Sequence, residues 1–124
     1  MSKRSIKAFM IHKTNSYYLQ ETIKTATSNC KYPLILLGDD ENKIITKDIC
    51  QHAMLSEYTE DIDELTDGIK KTFINGGNLE YETFCYLRWV HLRNYMKINE
   101  IDYAIYFDSD MLLTPHFTEL LNLI

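Results

Sequence analysis

Near the C-terminus the chain runs Tyr103-Ala104-Ile105-Tyr106-Phe107 and then Asp108-Ser109-Asp110. The apolar run does not alternate with polar residues. That pattern predicts a strand covered on both faces, as in a parallel sheet packed between helices. In such sheets ligands bind outside the carboxyl ends of the strands, where these aspartates fall. In extended backbone Asp108 and Asp110 share a face, and at a strand end both can turn toward one ion. Two hard oxygen donors suit Mg²⁺ or Mn²⁺ with a phosphate as co-ligand. The plainer reading makes Asp108 a turn former and Asp110 a solvated side chain.

The N-terminal third supports the same fold class. Ile6–Ile11 reads as a first strand. Thr14, Asn15 and Ser16 supply candidate N-caps for a helix reaching about Asn29, Tyr32-Pro33 breaks it, and Leu34–Leu37 reads as a second buried strand. Strand, helix, strand at this spacing is a βαβ unit with parallel strands and a right-handed crossover. The acidic stretch Gly38–Asn42 then reads as a turn. Within it Asp40 is an ordinary turn residue, while Asp39 lies near enough to the sheet edge to accept hydrogen bonds from a base or ribose.

The middle of the chain carries weaker signals. Lys47–Leu55 looks helical, Ile69–Ile74 a short helical turn, and Asn75–Asn78 a loop. Leu79–Ile98 reads as one long helix, buried on most faces, with Cys85, Trp89, Leu92 and Met96 on a stripe and Glu82, Arg93 and Lys97 on a wet edge. Arg88, beside that stripe, either extends outward or pairs with an anion. A last helix starts at Thr114-Pro115, with Thr114 as N-cap and Pro115 at the first helical position.

Bulk properties exclude several classes. The 124 residues match one domain, 1–124. A net charge of −5 argues against a nucleic-acid partner. Cys30, Cys50 and Cys85 form no CxxC pair, which disfavours a zinc ribbon or thioredoxin-type motif and fits a reduced, cytoplasmic compartment. The basic start is followed by too short an apolar stretch for a signal peptide or a membrane span. None of the four histidines has metal-ligand spacing; His12, at the end of the first strand, reads as edge or core filling.

The stretch Tyr106-Phe107-Asp108-Ser109-Asp110-Met111-Leu112-Leu113 resembles the DXD signature of GT-A fold glycosyltransferases, which use nucleotide-diphospho-sugar donors. The block Glu82–Met96 is similar to the helix that precedes DXD in many of them, and the N-terminal βαβ matches their nucleotide-binding half. The resemblance implies a Rossmann-like, mostly parallel sheet sandwiched by helices. It implies that Asp108 and Asp110 hold Mn²⁺ or Mg²⁺ against the diphosphate of a UDP- or GDP-sugar, with Ser109 between them. It also implies that His12, Thr14 and Asn15 line the base and ribose pocket, that Asp39 contacts the base, and that Arg88 reaches the donor's phosphate or sugar. Catalytic residues stay unassigned, as do the sugar and the acceptor.

One departure from the family pattern stands out. Only fourteen residues follow Asp110, where the family places its acceptor half. The chain therefore reads as the donor-binding half: a fragment, a truncated frame, or a half-domain completed by a partner or by a second copy. Two rival functions remain. One is a non-catalytic nucleotide-sugar-binding or regulatory module. The other is a phosphatase of the haloacid dehalogenase class, disfavoured because that class carries its Asp-X-Asp near the N-terminus.

Overall fold

The structure is a computed structural model and describes residues 4–72 and 77–123. It divides into two compact units, one built from residues up to Met54 together with those from Ile101 onward, the other from Leu55–Glu100.

The first unit is α/β, with a four-stranded, all-parallel sheet flanked by helices. Its elements are β1 (Ile6–Ile11), α1 (Leu19–Asn29), β2 (Leu34–Gly38), α2 (Asp40–Thr46), β3 (Gln51–Met54), β4 (Tyr103–Tyr106) and α5 (His116–Leu121). The strand order is β3-β2-β1-β4. Ala8 pairs with Leu34, Ile35 with Gln51, and Ile6 with Tyr103. The winding is Rossmann-like: it steps from β1 to β2 to β3 in one direction, then returns to place β4 on the other flank of β1. That reversal is the topological switch point of an open α/β sheet.

The core follows from strand parity. Ala8 and Met10 on β1 and Leu34 and Leu36 on β2 point to one face, where Leu19, Ile23 and Ala26 of α1 and Leu121 of α5 meet them. Leu19, Ile23 and Ala26 stand at i, i+4, i+7, one stripe of the helix. Phe9, Ile11, Ile35 and Leu37 on the opposite face are buried too, so both central strands are covered on each side. The segment after the aspartates folds back onto α1. Asn29 Nδ2 donates to the Leu113 carbonyl at 2.9 Å, and Thr118 Oγ1 donates to the Asn29 carbonyl at 2.8 Å. Phe107 packs edge-on against Phe117, with ring centroids 5.1 Å apart.

Several expectations are corrected here. Lys47–Leu55 is not a helix. The helix lies earlier, at α2, and Gln51–Met54 is the edge strand β3. Gly38–Asn42 is accordingly a strand end running straight into a helix start, because Asp39 caps that start. β4 is not fully buried as expected: Tyr103 is 47% exposed and Ala104–Tyr106 are half-buried, while Phe107 just beyond the strand is buried; among the described residues β4 is an edge strand paired with β1. α1 begins at Leu19 after Tyr18, with no side-chain cap from Thr14, Asn15 or Ser16. The last helix starts one residue later than expected, with Pro115 at the cap and the Thr114 carbonyl accepting from Phe117 N–H at 3.0 Å.

The second unit holds a short 3₁₀ turn (Leu55–Glu57), α3 (Ile62–Thr72) and α4 (Leu79–Ile98), so the long helix has its expected bounds. The expected turn at Ile69–Ile74 is the end of α3 as far as Thr72; Phe73–Gly76, and with them part of the expected Asn75–Asn78 loop, lie outside the described residues. The buried residues of α4 are Thr83, Leu87, His91, Leu92 and Asn94, so of the expected Cys85–Met96 stripe only Leu92 is buried: Cys85 and Met96 are half-buried and Trp89 is 46% exposed. His91 Nδ1–H donates to the Tyr58 carbonyl at 2.8 Å, and Asn94 Nδ2 donates to the carbonyls of Tyr58 and Glu60 at 3.1 and 3.0 Å. Arg93 and Lys97 lie on the exposed edge as expected, paired with Asp61 and Glu60. Among the described residues no helix is long and apolar enough to cross a membrane.

Candidate functional site

All four strands are parallel, so their carboxyl ends share one edge of the sheet, and the switch point lies between the exits of β1 and β4. His12 follows the last residue of β1, and Asp108 follows Phe107 at the exit of β4. One hydrogen bond of His12 links these exits, and a second holds the loop after β1. His12 Nδ1 lies 2.8 Å from Ser109 Oγ, and His12 Nε2 lies 2.9 Å from Ser16 Oγ on the loop leading to α1. A neutral imidazole satisfies both, one nitrogen donating and the other accepting, because each hydroxyl can do either.

Burial lowers the His12 pKa below the ordinary histidine value, while the negative charges of Asp39 and Asp110 pull the other way. His12 is thus neutral near pH 7, with two carboxylates within electrostatic reach. The two acids the sequence singles out, Asp108 and Asp110, lie just beyond β4. The Met111 N–H donates to the Asp108 carbonyl at 3.2 Å, so Asp108–Met111 forms a β-turn and the pair does not sit on extended backbone. This is the turn-forming role open to an aspartate at that position. Both carboxylates are exposed.

Among the described residues no group of three or more His, Cys, Asp and Glu side chains forms a cage for a metal ion. Asp108 and Asp110 are two exposed carboxylates. Mg²⁺ and Mn²⁺ keep several waters and take phosphate oxygens as ligands, so one or two protein carboxylates at the mouth of a nucleotide site suffice.

Asp39 and the β1 exit loop form a second cluster at the same edge. Asp39 Oδ1 accepts from the N–H groups of Glu41 and Asn42, at 3.1 and 3.2 Å, which caps α2. Its other oxygen, Oδ2, accepts from Thr14 N–H at 2.6 Å. The acid expected to meet a base is therefore bound to three backbone N–H groups. Thr14 has φ +64°, a left-handed conformation that a β-branched residue rarely adopts. Asn15 beside it is exposed. Arg88 belongs to the Leu55–Glu100 unit, where its guanidinium lies over the Trp89 ring at 4.8 Å.

Two residues of this cluster escaped the sequence reading. Asn42 is fully buried. Its Nδ2 donates to the carbonyls of His12 and Thr14 at 2.8 and 2.9 Å, and its Oδ1 accepts from Asp39 N–H at 3.0 Å. The amide orientation follows, since two carbonyls require the nitrogen. His52 on β3 then donates from Nε2 to Asn42 Oδ1 at 2.8 Å. Its pKa is lowered, first by burial and then by the positive charge of Lys43. A signal existed for Asn42: a capping residue with a side-chain amide three positions on is the pattern of a reciprocal helix cap.

No family model, no curated protein and no solved structure matches this chain.

Proposed function

We propose that the chain binds a UDP- or GDP-sugar at the β1–β4 edge of the sheet, as the donor site of a metal-dependent glycosyltransferase of GT-A type. The observation that carries this reading is the link between His12 and Ser109 at the switch point, with Asp108 and Asp110 flanking that serine on an exposed turn. Nucleotides bind at such edges in open parallel sheets. Carboxylates there, in a chain of net charge −5, recruit a diphosphate only through a cation.

In this reading Asp108 and Asp110 hold Mn²⁺ or Mg²⁺. The ion supplies charge neutralisation for the departing nucleoside diphosphate. Ser109 is oriented by His12 and offers its hydroxyl toward the diphosphate. The loop His12–Asn15 borders the base and ribose, with Asp39 holding that loop in place. Neutral His12 adds no charge that would compete with the metal for the phosphates.

Thermal unfolding with UDP or GDP, with and without Mn²⁺, tests the proposal. A ligand at a hundred times its dissociation constant adds about 2.7 kcal/mol, a rise of several degrees in a chain of this size. The rise is expected only with nucleotide and metal together, and it disappears in Asp108→Ala and Asp110→Ala. Equal shifts in the wild type and both variants remove the metal assignment. Phosphate release from a small phosphoester with no nucleotide effect supports a phosphatase instead.

A further inference from the structure

The whole hydrogen-bonding capacity of the Asn42 amide is taken up inside the protein. Its two N–H bonds go to the carbonyls of His12 and Thr14, and its oxygen receives Asp39 N–H and His52 Nε2–H. One buried side chain thereby joins β1, the start of α2 and β3. The position leaves no slack. Gly38 lies against it so closely that a Cβ there would overlap the Asn42 carboxamide.

Thr14 is the main beneficiary. Both of its backbone polar groups are gripped from the first turn of α2: N–H by Asp39 Oδ2 at 2.6 Å, C=O by Asn42 Nδ2 at 2.9 Å. A β-branched residue at φ +64° is sterically strained and persists only where its surroundings over-determine it. Such strain concentrates where a loop is preset for a ligand. The chain pays this cost on the loop that carries His12, Thr14 and Asn15 past the switch point.

We infer that Asn42 is the positioning residue of the nucleotide site: buried beyond reach of any ligand, it fixes the His12–Asn15 loop through the carbonyls of His12 and Thr14. The inference rests on the donor-binding reading and adds to it the residue that presets the base and ribose side. Asn42 itself touches no nucleotide, since it is 0% exposed. Any effect of its substitution on affinity therefore passes through the loop.

The test measures two quantities on each protein: the dissociation constants of UDP and GDP with Mg²⁺ by calorimetry, and the exchange rate of the Thr14 amide by NMR. The variants are Asn42→Ala and Asp39→Asn. Asparagine caps a helix about as well as aspartate, so Asp39→Asn keeps the start of α2 while replacing the carboxylate that holds Thr14 N–H. It carries the test if Asn42→Ala does not fold. Each folded variant is expected to exchange Thr14 at least tenfold faster and to bind at least tenfold more weakly, with cooperative unfolding retained. Faster exchange with wild-type affinity overturns the inference. So does weaker binding in Asp39→Asn with Thr14 exchange unchanged, which would make Asp39 a direct ligand contact. Absence of binding by the wild-type protein overturns the donor-binding reading, and the inference falls with it.

Discussion

His12 Nδ1 and Ser109 Oγ, 97 positions apart in the chain, lie 2.8 Å from each other where the sheet reverses its strand order. The bond fastens the exit of β1 to the exit of β4. Its partner on the other ring nitrogen, Ser16, extends the link to the loop before α1. A half-buried imidazole between two hydroxyls is held in orientation without being charged.

That environment has a consequence for stability against pH. Burial lowers the pKa of both His12 and His52 below the ordinary value of 6.5. Below that value the unfolded chain takes up protons that the folded chain resists, so the unfolded state binds more protons and stability rises with pH through this window. The stabilisation is present above pH 6.5 and is lost as pH falls through the two lowered values. Urea midpoints measured from pH 8 to pH 5 are expected to fall in the acid range. His52→Gln, which keeps a donor toward Asn42, is expected to flatten part of that fall. An unchanged slope would show that His52 does not titrate on unfolding.

Gly38 has an ordinary backbone conformation, and its constraint is space. A methyl group there would press on the Asn42 carboxamide, which is buried and bonded on both sides. Gly38→Ala is expected to cost about 1–3 kcal/mol, the range for overpacking a filled interior. Urea unfolding reads this directly. A loss under about 0.5 kcal/mol, the level of ordinary surface changes, would mean that Asn42 moves aside freely.

The three thiols are unpaired, and two of them are shielded. Burial pushes the Cys50 thiol up to about 11 from 9.0, and it raises Cys30 as well. Thiolate is the reactive form. At pH 8 the native Cys50 is therefore expected to react with iodoacetamide roughly a hundredfold more slowly than in the unfolded chain. Mass spectrometry of timed digests gives the comparison. Equal rates would place Cys50 in solvent.

Much of the fold was legible because it is written in local pattern. The unalternating runs Ile6–Ile11 and Leu34–Leu37 are the two central strands, and the Leu79–Ile98 helix has the expected ends. What was lost was lost for physical reasons. Asp39 and Asn42 cap each other's backbone, so an apparent acidic turn nucleates a seven-residue helix, and the helix expected at Lys47–Leu55 becomes a loop and an edge strand. Tyr103–Tyr106 looks buried by composition, yet it is an edge strand and only Phe107 beyond it is buried. On α4 Trp89 lies exposed while His91 and Asn94, whose side chains bond to backbone carbonyls, are buried.

For the site, proximity to the sheet edge was legible and the bonding was not. His12, Asp39, Ser109 and Asp110 gather at one edge because parallel strands end together. Nothing in the sequence separates an aspartate that meets a ligand from one that holds Thr14 N–H. Asn42 carried a sequence signal as the second half of a reciprocal cap with Asp39, but its bonds to the His12 and Thr14 carbonyls carry none.

The most direct measurement is NMR line broadening by substoichiometric Mn²⁺ in the presence of UDP or GDP. Binding at the switch point predicts that the amides of Asp108–Asp110 and His12–Asn15 broaden first and together, that nucleotide is required, and that Asp108→Ala and Asp110→Ala remove the effect. Broadening confined to other acidic positions such as Asp63 and Glu64 on α3, or broadening indifferent to nucleotide and to both substitutions, would contradict a metal-held nucleotide at the β1–β4 edge.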